Sequence, residues 1–182
     1  MLSRVFCGSL VLWLAACAST APVAPVADAP PPKPYLEQAL VGDKIIVGAQ
    51  PAATDFAALK EAGVDKVINL RPASEMSAIP GFDEPALASQ HALNYLSIPI
   101  GGTEHPYTPE ALERFAQAVA ASEGKVLLHC ASGGRAGQLY AAYLVKYEGR
   151  TPEEALRSIE SLGAWPLPME RLLNRPLKLE FK

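Results

Sequence analysis

Apolar positions change their period along this chain, and the changes mark its elements. Val5 to Leu14 is an almost unbroken apolar run, and a Pro- and Ala-rich stretch follows it to residue 34. From Tyr35 onward short apolar runs alternate with helical spacing. Lys44-Ile45-Ile46-Val47 predicts a strand followed by the turn Gly48-Ala49-Gln50-Pro51. Thr54 is predicted to cap a helix with Phe56, Leu59 and Ala62 on one face and Gly63 at its end. Val67-Ile68-Asn69-Leu70 predicts a second strand, residues 84 to 91 a helix, and Tyr95-Leu96-Ser97-Ile98 a third strand closed by Pro99. Thr108-Pro109 opens a helix whose stripe is Leu112, Phe115, Ala116, Val119 and Ala120, with Gly124 as its stop. Lys125-Val126-Leu127-Leu128 is apolar enough to be a strand covered on both faces. A long helix is expected from Gly134 or Arg135 to about Tyr147. The capping box Thr151-Pro152-Glu153-Glu154 opens another, and Trp165 to Leu173 makes a last short one.

This order predicts an α/β fold: a central, mostly parallel sheet of four to five strands with helices on both faces. No internal repeat is visible. In such sheets ligands bind where strand carboxyl ends meet helix N-termini.

The first residues read differently. Arg4 and the apolar run after it form an export signal over residues 1–16, too short to span a bilayer. Leu14-Ala15-Ala16-Cys17 resembles a bacterial lipobox, which implies cleavage before Cys17 and lipidation of its thiol. Three acyl chains there would anchor the protein stably. Ala18, in place of the aspartate that retains lipoproteins in the inner membrane, points to a periplasmic protein on the outer membrane rather than the inner. Residues 17–34 carry six prolines after Cys17 (Pro22, Pro25, Pro30, Pro31, Pro32 and Pro34) and are expected to be an extended tether. Residues 35–182 form the folded domain.

Charge narrows the range of partners. The formal net charge is -3, and loss of the leader with Arg4 leaves 15 basic against 19 acidic residues. Such a chain has no broad cationic face, so nucleic acid is excluded as a partner. Cys7 lies in the leader and Cys17 would carry lipid, so Cys130 has no intramolecular cysteine partner. A disulfide framework is excluded, and Cys130 becomes either a reactive thiol or a buried structural one.

The loop around it favours the reactive reading. A buried strand runs into His129-Cys130-Ala131-Ser132-Gly133-Gly134-Arg135, and a long helix follows. Gly133 and Gly134 let the backbone curl so that successive amides face one point. The helix N-terminus adds partial positive charge, and Arg135 adds a full charge on a planar fork suited to a tetrahedral oxyanion. The same field favours a thiolate at Cys130. One loop thus offers a nucleophile and an anion cradle.

His129-Cys130 followed by Arg135 resembles the signature of cysteine-dependent tyrosine and dual-specificity phosphatases. Gly48-Ala49-Gln50-Pro51, Val67-Ile68-Asn69-Leu70-Arg71-Pro72 and Ile98-Pro99-Ile100 extend the likeness to the beta-lactamase-hydrolase-like, phosphatase-like domains of bacteria, over roughly residues 40 to 148. The resemblance implies a cysteine-phosphatase-like fold in which Cys130 attacks phosphorus and forms a phosphocysteine. It also implies that Arg135 and the amides of Ala131, Ser132, Gly133 and Gly134 bind the equatorial oxygens. His129 would orient the loop and favour the thiolate, and Arg71 would support the site.

Three departures keep other functions open. Four residues separate Cys130 from Arg135, where the phosphatase signature has five; the rhodanese sulfurtransferases, which carry a persulfide, use four. Ala136 stands where a hydroxyl residue usually follows the arginine, although Ser132 could substitute. The general-acid aspartate is absent from Gly101-Gly102-Thr103-Glu104-His105-Pro106, which leaves Glu104 or His105 as the proton donor. The expectations are therefore phosphate-monoester hydrolysis, sulfur transfer through a Cys130 persulfide, or oxyanion binding without catalysis. The substrate would be a phosphorylated or sulfur-donor small molecule or protein. Neither a metal nor a cofactor is expected, since His91 and His105 have no ligand spacing with Cys130.

Overall fold

Four parallel strands and one antiparallel strand make the sheet in the computed structural model, which describes residues 33–163 and 166–178. The strands are β1 (Leu40–Val41), β2 (Ile45–Gly48), β3 (Val64–Asn69), β4 (Asn94–Ser97) and β5 (Lys125–His129), in the order β1-β2-β5-β3-β4. β5 lies at the centre, parallel to β2 and β3. Its fully covered Val126, Leu127 and Leu128 account for the unbroken apolar run. β1 is antiparallel to β2 and edges the sheet.

The helices are α1 (Tyr35–Gln38), α2 (Phe56–Glu61), α3 (Ala73–Met76), α4 (Glu84–Gln90), α5 (Pro109–Ala120), α6 (Gly134–Tyr147), α7 (Pro152–Ser158) and α8 (Pro166–Leu173). They cover both faces, as the sequence predicts. Leu112 and Phe115 of α5 and Leu139 of α6 pack with Val126 and Leu128 on one side. Phe56 and Leu59 of α2 and Ala88 of α4 pack with Ile46, Val67 and Leu127 on the other. Alternation along the strand separates the two sets. The compact unit spans Lys33–Lys182.

Several local expectations change. Thr54 does not cap α2: it lies inside a 3₁₀ turn, Ala53–Asp55, and Asp55 Oδ2 accepts the Ala52 N–H at 2.7 Å. The stripe of α5 includes Ala111 and Ala118, while Ala116 is half-buried and Ala120 is exposed. The helix stops at Ala120, four residues before Gly124. β3 begins at Val64, three residues earlier than its apolar run, because backbone pairing with β5 continues across the polar Lys66. The elements α1, β1 and α3 are too short to show a period. Thr108 and Thr151 cap their helices as expected, through Ala111 N and Glu154 N. The export signal, Cys17, Trp165 and all of the tether but Lys33 and Pro34 lie outside the described residues. Among the described residues no helix is long and apolar enough to cross a membrane.

Candidate active site

Register brings the site together. Gly48 of β2, His129 of β5, Asn69 of β3 and Ser97 of β4 pair side by side, so the four carboxyl ends form one row. Past that row the backbones stay joined. Gln50 N–H donates to the Ala131 carbonyl at 3.2 Å, Leu70 N–H to His129 at 2.9 Å, and Ile100 N–H to Leu70 at 2.8 Å. The chemistry-bearing residues therefore sit on a rigid edge rather than on free loops.

Strand alternation then sends two consecutive side chains to opposite faces. Cys130 joins the α5 and α6 side and is 1% exposed. His129 turns to the α4 side and is fully buried. The sulfur accepts the Gly133 N–H at 3.2 Å, at the mouth of α6. Gly133 has φ of 92°, a left-handed conformation that favours glycine, and a Cβ there would meet Leu162 Cδ2 at 3.0 Å. The curl expected of two glycines thus falls on Gly133, because Gly134 is already the first residue of α6. Ala131 and Ser132 are exposed at the rim. Among the described residues Ser132 makes no hydrogen bond to the sulfur.

Arg135 stands at the far end of the loop, held from outside it. Its Nη1 and Nη2 donate to Glu75 Oε1 and Oε2, both at 2.7 Å, and Nη1 also donates to the Ile100 carbonyl at 2.7 Å. A fork engaged on one edge leaves Nε and the remaining Nη2 proton on the other, and the guanidinium also lies within hydrogen-bonding reach of Cys130. Arg71, which the sequence suggests as a supporting residue, lies near the same edge. Its Nε donates to Glu75 Oε2 at 3.2 Å and its Nη1 to Gln50 Oε1 at 3.0 Å. The Arg135 hydrogen bonds outweigh partial burial and, with help from Arg71, hold the Glu75 carboxyl below its ordinary value. A depressed carboxyl contributes stability above its unfolded-state value, and that stability is lost as pH falls through the folded-state value. Glu75→Gln should therefore lower Tm at neutral pH, with the gap to wild type closing on acidification. Thermal melts from about pH 3 to about pH 7 test this. Parallel curves would deny the pair any contribution.

Glu104 and His105 are placed beside this cluster, not on the sulfur. Gly101 N–H donates to the His105 carbonyl at 2.7 Å, which closes a tight loop. That loop walls a pocket of about 320 Å³ together with Glu75 and Pro72. Glu104 is exposed and His105 half-buried. From the same connection Tyr107 lies within the electrostatic reach of both Arg135 and Cys130. Burial raises its phenol pKa, with Arg135 opposing and Cys130 adding to the effect. Among the described residues no group of His, Cys, Asp and Glu is arranged to hold a metal ion.

Sequence reasoning misses Glu75, Glu84 and the side-chain roles of Gln50 and Asn69. Glu84 did leave a signal. It shares a helical face with Leu87 and Ala88, which places a carboxylate on an apolar stripe. Glu75, in a four-residue helix, left none.

Comparisons with known proteins place the chain among phosphatase-like domains. The family described as polymorphic toxin system, DSP-PTPase phosphatase, matches residues 41–149. A beta-lactamase hydrolase-like protein of Xylella fastidiosa is 36% identical over 124 residues, 68% of this chain and 27% of its own length. The chain thus spans about a quarter of that relative. Phosphatidylglycerophosphate phosphatase PTPMT1 of Arabidopsis thaliana is 32% identical over 129 residues, 67% of this chain and 36% of its own. The solved structure of a DUF442 protein of Shewanella putrefaciens, described by its phosphatase likeness, superposes with a TM-score of 0.59 at 30% identity, covering 74% of this chain and 84% of that one. None of these supports the sulfur-transfer alternative. With its family match across the sheet and the Cys130 loop, the chain belongs to the DSP-PTPase phosphatase family.

Proposed function

We propose that this protein hydrolyses phosphate monoesters through a phosphocysteine formed on Cys130. The observation that carries the reading is the placement of the Cys130 sulfur, 3.2 Å from the Gly133 N–H at the start of α6, in one loop with an arginine fork braced by Glu75. Phosphate enters over the loop. Arg135 and the amides hold its oxygens, and the thiolate attacks phosphorus as the ester oxygen leaves. Glu104 or His105, on the loop beside Glu75, protonates the leaving group, and water then releases phosphate from sulfur. Four residues between cysteine and arginine suffice in this reading because Arg135 is positioned by Glu75 and Ile100 rather than by the loop alone. Burial of the thiol suits a nucleophile exported to an oxidising compartment.

The test is release of phosphate from para-nitrophenyl phosphate, phosphotyrosine and phosphatidylglycerophosphate, beside thiocyanate formation from thiosulfate and cyanide. Phosphate without thiocyanate is expected. Thiocyanate alone would replace the reading with sulfur transfer, and silence in all arms would leave an oxyanion-binding domain.

The proposal includes the leader: Cys17 is lipidated and holds the domain at the periplasmic side of the outer membrane. Cys17→Ser should move the protein from the outer-membrane fraction to the soluble or unprocessed pool. Unchanged membrane fractionation and processing would overturn the anchor.

A further inference from the structure

Glu84 is fully buried at the start of α4, on the face of the sheet opposite the sulfur. A buried carboxylate is costly unless donors surround it. Two amides donate to it, and Tyr95 and His129 stand beside it. Asn69 Nδ2 donates to Oε2 at 2.6 Å and Gln50 Nε2 to Oε1 at 2.9 Å. His129 Nε2 approaches Oε1 to 3.0 Å, a charge contact without an aligned hydrogen bond. A carboxylate oxygen at that distance is electrostatically matched to a ring N–H and mismatched to a bare ring nitrogen. The other nitrogen, Nδ1, lies 3.4 Å from the carbonyl of Cys130 itself.

These contacts continue around the site. Gln50 turns its Oε1 to Arg71 and its Nε2 to Glu84, so one amide joins a cation to a carboxylate. Arg71 meets Glu75, and Glu75 meets Arg135. A single polar chain therefore runs Arg135, Glu75, Arg71, Gln50, Glu84, His129. It starts at the last residue of the Cys130 loop and ends at the residue before its cysteine.

We propose that Glu84 is a positioning residue for the Cys130 reaction. Acting through His129 it braces the start of the loop, and through Gln50 and Arg71 it ties that start to Arg135. The inference rests on the phosphatase reading above and adds to it a residue that touches no substrate. A carboxylate is required because the Asn69 and Gln50 amides each present a hydrogen to a different oxygen; an amide at this position would turn an N–H toward one of them.

The experiment compares full-length wild type, Glu84→Gln, Glu84→Asp and Ser122→Ala. Ser122 is the control: its buried hydroxyl donates to the Ala118 carbonyl at 2.9 Å, at the other end of β5 from Cys130 and outside the polar chain. Each protein is melted, assayed on para-nitrophenyl phosphate, and timed for alkylation of Cys130 by iodoacetamide. Glu84→Gln should lower kcat by about tenfold or more with KM within about twofold, and should slow alkylation in proportion. Glu84→Asp should recover part of both. Ser122→Ala should lower Tm with kcat and alkylation unchanged. A Glu84→Gln kcat within about twofold of wild type, or an equal kcat loss in Ser122→Ala, would overturn the proposal. If Glu84→Gln does not fold, Gln50→Met removes the amide's bonds to both Glu84 and Arg71 and leaves the Glu84–His129 contact in place: a several-fold fall in kcat supports the proposal, and none overturns it. If wild type itself releases no phosphate, the phosphatase reading fails separately. Alkylation then still decides, since unchanged thiol reactivity in Glu84→Gln overturns the positioning role and slowed reactivity upholds it.

Discussion

Cys130→Ser should abolish phosphate release, by on the order of 10⁴-fold or more in kcat, with the fold intact. The loop gathers donors and positive charge around the sulfur. The Gly133 N–H points at it, α6 presents its N-terminus, and Arg135 stands at the loop's far end. A serine hydroxyl keeps its proton under the same field at neutral pH, because an alcohol is far less acidic than a thiol. The amides and the arginine remain, so the variant should still bind phosphate. Two measurements separate the steps: kcat on para-nitrophenyl phosphate, and the Kd for inorganic phosphate by calorimetry. Lost turnover with retained binding is the expected pair. Turnover above about 1% of wild type would remove Cys130 as the nucleophile. Loss of both would make the cysteine a packing residue, in keeping with its place in the core beside Leu128 and Ala136.

Arg135→Lys should cost about 10²- to 10³-fold in kcat/KM, the next largest effect. Lysine keeps the charge but loses the plane and the fork. In this protein the fork serves two masters at once. One edge grips both Glu75 oxygens and the Ile100 carbonyl, which fixes where the other edge points. An ammonium cannot satisfy that edge and also present parallel donors to phosphate, so the loss should fall mainly on kcat. Steady-state kinetics of Arg135→Lys beside Glu75→Gln makes the comparison. If Arg135→Lys merely matches Glu75→Gln, the arginine's contribution is its brace rather than its contact with the transition state. A loss below about fivefold would deny it a catalytic part.

Much of this site is legible along the chain because it is local. His129 to Arg135 are consecutive, and the strand, curl and helix that present them follow from residue types next to one another. Arg71 is legible too, since it directly follows a recognisable strand and that strand's end had to lie at the same edge. The four parallel strands and the helices on both faces likewise follow from apolar runs and 3.6-residue stripes. Where propensity misled, a polar side chain was the cause. Asp55 rather than Thr54 closes the turn before α2, and Lys66 hides the first part of β3.

The sequence by itself determined the order of the longer elements, the Cys130 loop and the acidic, cysteine-poor character of the chain, since each is set by neighbours or by composition. Only the tertiary structure decided which partners complete the loop. Glu75 lies 60 residues before Arg135 and Glu84 lies 34 after Gln50, and no periodicity links such positions. They meet because β2, β5 and β3 end in register and because α3 and α4 return over that edge. Hydrogen bonds between side chains act over about 3 Å in space and carry no trace of their separation along the chain.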